Sequence, residues 1–236
     1  MTVPARAWRI EQRRALLAAL LCWLAFAAIV WLVRSDRAVM FDRLGLLLWR
    51  RGPELAPKGP AWLLEAVRDL TSLGGVLLRN LIAAIAVAAL LFLRLRREAV
   101  LLASTIALGW ALDWAIKVSV GRPRPTIVPH LTEVGGSSFP SGHSFNSAVV
   151  YVAIALAFAT LSARQSVRLT MIGAALVLSL VIAWSRVWLG VHFPTDVAAG
   201  LLGGAGWAFL AAGLLQRPAA AVADSDTAKK LDPTVH

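Results

Sequence analysis

The sequence predicts an all-α, polytopic membrane protein, with six transmembrane helices in one bundle and an amphipathic segment at the membrane surface. Hydrophobic residues make up 58% of the 236-residue chain and charged residues only 16%, whereas soluble domains contain about 45–50% and about 25%. Six stretches are apolar over roughly the 20 residues that a helix needs to cross a bilayer. None of them alternates with the two-residue period of a β-strand, which argues against a transmembrane barrel.

The predicted spans follow one another with short connections, apart from a longer stretch between the first two. They cover residues 15–33, 71–93, 99–118, 144–163, 169–185 and 197–216. The stretch between the first two contains amphipathic segments at 44–49 and 62–70, separated by prolines, and is expected to lie at the membrane surface. Residues 1–216 are therefore predicted to form a single membrane domain. The polar tail, 217–236, is predicted to be disordered.

The net charge of +11 is spread over short segments between the apolar stretches. This distribution favours membrane lipids and an anionic substrate as partners and argues against nucleic acid. If both termini are inside, 12 Lys and Arg residues lie inside and 12 outside, four of the latter in the polar motifs described next. Setting those four aside, the positive-inside rule predicts cytoplasmic termini and motifs on the extracytoplasmic face. With no additional soluble domain, the chain is expected in a bacterial inner membrane.

Three polar segments do not fit ordinary membrane loops. Residues 117–125 (KVSVGRPRP) end the third span, residues 139–144 (FPSGHS) begin the fourth, and residues 185–196 (SRVWLGVHFPTD) connect the fifth to the sixth. If consecutive spans alternate in direction, all three segments lie on one face of the membrane. The sequence therefore predicts that they converge.

The converging side chains suit a multiply charged anion. Arginine binds phosphate oxygens in bidentate fashion, and a helix that begins after Pro-Ser-Gly presents free N–H groups to an anion. Two histidines, His143 and His192, supply side chains that ordinarily titrate near neutrality. Asp196, four residues after His192, can accept a hydrogen bond from one imidazole nitrogen, leaving the other free to attack. Pro194 leaves open whether a helix or a tight loop connects them. The cations are Lys117, Arg122, Arg124 and Arg186.

These segments closely resemble the motifs of the type-2 phosphatidic acid phosphatase family. That family includes lipid phosphatases and acid phosphatases related to vanadium haloperoxidases. Its pattern is Lys-x6-Arg-Pro, then Pro-Ser-Gly-His, then Ser-Arg-x5-His-x3-Asp. Residues 117–125, 140–143 and 185–196 match the three motifs without a gap and in the same order.

The resemblance implies a role for each matching residue. His192 would be the nucleophile that becomes a phosphohistidine, Asp196 would orient it, and His143 would protonate the leaving oxygen. The implied phosphate-binding groups are Lys117, Arg124, Ser141, the Gly142 amide and Arg186. Because phosphoryl transfer depends mainly on positioning and charge stabilisation, no metal or other cofactor is expected. The spacing leaves the roles of Arg122, Asp113 and Arg79 open.

The implied activity is a metal-independent membrane lipid phosphatase. Undecaprenyl diphosphate is the expected substrate, because a diphosphate suits four cations and its leaving group needs little protonation. Phosphatidylglycerol phosphate, phosphatidic acid and phosphotransfer to another acceptor remain alternatives, and a lipid transporter is the non-enzymatic one. A metal site built from His143, His192 and Asp196 is a further chemical alternative, but the four nearby cations would repel a divalent metal ion.

Overall fold

A computed structural model describes residues 12–162 and 164–215, so the predicted tail lies outside the described residues. The regular secondary structure of the described residues is α-helical, apart from one pair of very short antiparallel strands. In chain order the elements are α1 (Gln12–Arg34), α2 (Val39–Leu47), β1 (Arg50–Arg51), β2 (Ala56–Pro57), α3 (Ala61–Ser72), α4 (Val76–Phe92), α5 (Arg96–Val120), α6 (Gly142–Ala159), α7 (Gln165–Trp188) and α8 (Pro194–Leu215).

Five of the described helices, α1 and α5 to α8, are long and apolar enough to cross a membrane. The pair α3 and α4, bent by 44° at its break, makes a sixth span if it is counted as one. The predicted all-α membrane fold is therefore confirmed, with five or six spans. The stretch predicted at 71–93 begins within α3 and is interrupted at Gly74 and Gly75. Glycine is a poor helix former, and Gly75 has an extended backbone.

The segment between α1 and α3 has a surface helix and a small hairpin. Helix α2 exposes the apolar side chains of Met40, Phe41 and Leu44 and buries Asp42 and Leu46. This amphipathic helix begins five residues before the segment predicted at 44–49, whose last residues lead into the β1–β2 hairpin.

Helices α6 and α8 pack closely against each other at the centre of the bundle. A Cβ atom at Gly200 would lie 2.8 Å from both the Ser141 carbonyl oxygen and Ser144 Cβ, so a side chain there would push the helices apart. Small residues allow this kind of close helix contact in membranes. At the same end, the Ser141 N–H donates to the Asp196 carbonyl oxygen at 3.0 Å, which joins the starts of the two helices.

The three polar segments meet at this end of the bundle, as alternating spans predict. The Lys117 ammonium group at the end of α5 donates to the Pro140 carbonyl oxygen just before α6. Arg124 donates to the Val191 carbonyl oxygen between α7 and α8 at 2.8 Å. The fold therefore places all three motifs around one site.

Candidate active site

The turn between α7 and α8 holds His192 directly before a helix start. Gly190 has a φ of +77°, a left-handed conformation that favours glycine, and Pro194 is the first residue of α8. The Asp196 Oδ2 atom accepts from the Phe193 N–H at 2.9 Å, as the acidic residue at the third helical position of a capping box does. A tight loop followed by a helix start thus connects His192 to Asp196.

The two ring nitrogens of His192 have different surroundings. Nδ1 lies 3.6 Å from Asp196 Oδ2 and 3.4 Å from Ser138 Oγ, and this hydroxyl also donates to Asp196 Oδ2. Nε2 lies 3.2 Å from Arg124 Nη1. The ring is only 2% exposed, and burial lowers the pKa of His192 from its ordinary 6.5 to about 4. At neutral pH the imidazole is therefore uncharged. If Nδ1 carries the proton toward Asp196, the lone pair of Nε2 faces the cation.

Arg124 is held by main-chain oxygens. Its guanidinium donates to Gly135 at 2.7 Å, to Gly136 at 3.1 Å and to Val191 at 2.8 Å. Burial lowers the pKa of Arg124, but an arginine remains charged at physiological pH. Because carbonyl oxygens carry no net charge, this cation next to His192 Nε2 can still pair with an anion.

The start of α6 lies against Lys117 and Asp113 of α5. A Cβ atom at Gly142 would lie 3.3 Å from both Lys117 Cε and Asp113 Oδ2, so the absence of a side chain allows both to approach the helix start. The first N–H groups of a helix have no partner within it and are available to an anion. The buried Ser141 hydroxyl accepts from Ser144 at 3.0 Å and keeps its own proton to donate. Asp113 accepts from Asn146 of α6 at 2.9 Å.

Arg186 and His143 lie on the side of the site formed by α3 and α4. Arg186 is 3% exposed, and its Nη1 donates to Thr71 Oγ1 of α3 at 2.9 Å. Its Nε is buried without a hydrogen-bond partner among the described residues. The half-buried ring of His143 borders the α3–α4 break, where a Cβ atom at Gly74 would lie 3.1 Å from His143 Cδ2. Arg79 faces the bundle interior and donates to the Gly74 carbonyl oxygen at 3.0 Å.

Arg122 is oriented differently from the other three cations. Its Nη1 contacts Asp196 Oδ1 at 2.6 Å and Thr195 Oγ1 at 2.8 Å, and its Nη2 contacts Asp42 Oδ2 at 2.7 Å. The guanidinium also lies 4.2 Å above the centre of the Phe193 ring. Arg122 is thus bound to two carboxylates and contributes to the structure of the site.

Sequence reasoning missed Asp42 and Ser138. Asp42 is an acidic residue within the apolar run Val39–Leu47, a signal that could have marked it. Ser138 lies just before a motif, and nothing in its sequence context separates it from a loop serine. No group of three His, Cys, Asp or Glu side chains in the described ranges lies close enough to hold a metal ion.

Comparison with known proteins identifies the family. The model of the PAP2 superfamily matches residues 98–219, which include all three motifs. The chain belongs to the PAP2 superfamily. Phosphatidylglycerophosphatase B of Bacillus subtilis (strain 168) is 33% identical over 143 residues, which cover 59% of this chain and 68% of that protein. The protein is accordingly an integral-membrane phosphatase.

A second relative and a crystal structure support the same family. YbjG of Escherichia coli (strain K12), described as a candidate undecaprenyl-diphosphatase, is 36% identical over 107 residues, covering 42% of this chain and 50% of that protein. The crystal structure of a transmembrane PAP2 type phosphatidylglycerolphosphate phosphatase from Bacillus subtilis superposes with a TM-score of 0.73 at 25% identity. This match covers 92% of our chain and 98% of that structure. The similarity in fold thus extends well beyond the three motifs.

Proposed function

We propose that this phosphatase hydrolyses a lipid phosphate through a covalent phosphohistidine on His192. The observation that carries the proposal is the asymmetric environment of this buried, neutral imidazole. Asp196 and Ser138 lie on the side of Nδ1, and the Arg124 guanidinium lies 3.2 Å from Nε2. A phosphoryl group bound to Arg124 would therefore be next to the nitrogen that attacks it.

The proposed reaction has two half-reactions. Nε2 of His192 forms a bond to phosphorus while the bond from phosphorus to the lipid oxygen breaks, and His143 gives that oxygen a proton. Water then attacks phosphorus, the nitrogen–phosphorus bond breaks, and His143 takes the proton of the water. Inorganic phosphate leaves, and both histidines return to their starting state.

The phosphoryl oxygens are proposed to bind Lys117, Arg124 and Arg186, whose hydrogen bonds go to neutral groups. These groups are carbonyl oxygens, the Thr71 hydroxyl and, for Arg124, the ring of His192, and the buried Nε of Arg186 is a further donor. The Ser141 hydroxyl and the Gly142 N–H complete the proposed set. Charge placed in advance where it develops in the transition state is the main source of rate in phosphoryl transfer.

Trapping the intermediate tests the mechanism. The detergent-solubilised enzyme is mixed with phosphate-labelled lipid diphosphate and quenched in base, in which phosphohistidine survives, and the labelled peptide is identified by mass spectrometry. We expect label on His192, none in His192→Ala, and wild-type labelling in His130→Ala. His130 is a matched control because it lies outside the three motifs and its ring binds the Pro125 carbonyl oxygen at 2.7 Å. Label that persists in His192→Ala would refute the proposal.

A leaving-group comparison tests His143 separately. His143→Ala is expected to slow cleavage of a lipid alkyl phosphate more than cleavage of a nitrophenyl phosphate, because a good leaving group needs little protonation. Equal losses on both substrates would remove His143 from the role of acid.

For the lipid itself we propose undecaprenyl diphosphate, cleaved to the monophosphate. Three cations whose hydrogen bonds go to neutral groups fit a diphosphate better than a monoester, and the site lies at the end of an apolar bundle. Phosphatidylglycerol phosphate is the second candidate, because the Bacillus subtilis relative and the crystal structure reported above are both named for that lipid. Both lipids are compared by kcat/KM in one detergent. A preference of about tenfold for the glycerophospholipid, or roughly 1.4 kcal/mol, would overturn the isoprenoid assignment.

We further propose that residues 1–216 form one domain in a bacterial inner membrane, with extracytoplasmic active site and cytoplasmic termini. The charge distribution supports this orientation. Glu133 and Arg164 are exposed in the loops before and after α6. In a Cys22→Ser background, Glu133→Cys is expected to react with a membrane-impermeant thiol reagent on whole cells and Arg164→Cys only after lysis. The reverse labelling would invert the orientation.

A further inference from the structure

Asp42 of the surface helix α2 reaches the start of α8 from outside the three motifs. Its side chain is 1% exposed. Oδ1 accepts from the Thr195 N–H at 3.0 Å, and Oδ2 accepts from the Thr195 hydroxyl and from Arg122 Nη2, both at 2.7 Å. A buried carboxylate with this many donors has little freedom to move.

Arg122 continues this contact to Asp196. Its two terminal nitrogens bind different carboxylates, Nη2 that of Asp42 and Nη1 the Oδ1 atom of Asp196. The other Asp196 oxygen, Oδ2, is the one that faces His192 Nδ1. A continuous set of polar contacts therefore leads from α2 to His192.

We propose that Asp42 and Arg122 are positioning residues for the nucleophile. Arg122 fixes the Asp196 carboxylate, and Asp42 balances the charge of Arg122 so that Asp196 retains its negative field at His192. This inference rests on the proposed role of His192. A planar guanidinium can bind two carboxylates at once, which a single ammonium group cannot do with the same geometry.

The charges around His192 determine in which direction each substitution should shift the pH dependence of the reaction. Asp196 acts on the ring from α8, Arg124 from the loop before α6, Arg186 from α7 and His143 from α6. Without the negative charge of Asp42, Arg122 makes the potential at His192 more positive and disfavours protonation of the ring. Without Arg122, the potential becomes more negative and protonation is favoured. The fall of kcat/KM at low pH, where His192 becomes protonated, is the acid limb of the pH profile. Substitution of Asp42 and substitution of Arg122 should therefore shift this limb in opposite directions.

The experiment measures pH profiles, kcat and KM for Asp42→Asn, Arg122→Gln and Arg122→Lys in detergent with one lipid diphosphate. The ionisation of the substrate is common to all variants. For Asp42→Asn we expect a kcat that is lower by about tenfold to a hundredfold, a nearly unchanged KM and an acid limb at lower pH. For Arg122→Gln we expect the limb at higher pH. Asp36→Asn is the matched control, because it removes the same charge from the exposed turn before α2 and should behave as wild type.

Arg122→Lys separates charge from geometry. It keeps the positive charge but cannot reproduce the forked contacts, so the limb should stay in place while kcat falls. This variant keeps the inference testable if Arg122→Gln does not fold. An unchanged limb in Asp42→Asn, or shifts of the same sign in Asp42→Asn and Arg122→Gln, would overturn the inference. Trapped phosphate on wild-type His192 in the same preparation shows that such a failure concerns the positioning residues and not the mechanism.

Discussion

The four cations of the site form two regions that differ in the partners they bind. On one side, Arg122 contacts two buried carboxylates, Asp42 and Asp196. On the other side, the hydrogen bonds of Lys117, Arg124 and Arg186 go to neutral groups, namely carbonyl oxygens, the Thr71 hydroxyl and the ring of His192. Arg122 and Arg124 thus have the same charge and lie two positions apart in the chain, but they bind different kinds of partner.

We interpret this difference as one between cations that hold the structure of the site and cations that bind the phosphate of the substrate. A cation that is neutralised by carboxylates fixes their positions but has little charge left for an incoming phosphate. A cation that is held by neutral oxygens is kept in place and still attracts an anion. The following experiments are ordered from the largest expected effect to the smallest, and each can contradict this division.

The largest effect is expected on stability, at Arg122. Removing one partner of a buried ion pair typically costs about 3–5 kcal/mol, because the remaining charge stays buried. Arg122→Gln should therefore lower the midpoint of thermal unfolding in detergent by far more than Arg186→Gln does. The exposed variant Arg68→Gln serves as the control. Equal destabilisation by Arg122→Gln and Arg186→Gln would contradict the division.

The next effect is expected on catalysis, at Arg186. Its removal should lower kcat/KM by about 10²–10³-fold, as loss of one donor to a developing negative charge does. The exposed Arg68→Gln should retain wild-type activity. If Arg186→Gln is fully active, the buried guanidinium does not bind the phosphoryl group.

Vanadate provides a third test, because it mimics the geometry of the phosphoryl group in transfer. A ligand that is present at a hundred times its Kd stabilises the native state by about 2.7 kcal/mol. Vanadate should therefore inhibit the enzyme and raise its unfolding midpoint, in EDTA as well as without it. Arg124→Gln should lose this stabilisation, whereas Asp36→Asn should keep it. Stabilisation by vanadate in Arg124→Gln would contradict the proposed binding site.

The smallest effect is the pH dependence contributed by His192. Because burial lowers its pKa from 6.5 to about 4, the unfolded chain binds a proton below pH 6.5 that the native chain does not. The contribution of neutral His192 to stability is complete above pH 6.5 and is lost as the pH falls toward 4. On the order of 2 kcal/mol should be lost between about pH 6.5 and 5. His192→Asn should show a shallower decline than wild type over this range. If wild type and His192→Asn lose stability with the same slope, the group that titrates in this range is not His192.

The sequence predicted the segments around His192 and Arg124 better than it predicted the partners of Arg122. The motif around Arg124 and the alternation of the spans are local patterns, so they predicted which segments converge. The partners of Arg122 depend on where α2 packs, because Asp42 lies 80 residues earlier in the chain. Gly74, at the break in the predicted second span, packs against Ile182 and His143, a contact that hydropathy cannot indicate.

The close contact between α6 and α8 restricts how a lipid tail can approach His192. Backbone and Cβ atoms of α6 lie directly against Gly200 of α8. This contact contains no long side chain whose rotation could open a passage. Separating the two helices would also break the bond between Ser141 and Asp196 that holds the starts of α6 and α8 together. The bundle is therefore closed between α6 and α8, and we expect the hydrocarbon chain of a lipid substrate to reach the site along another side.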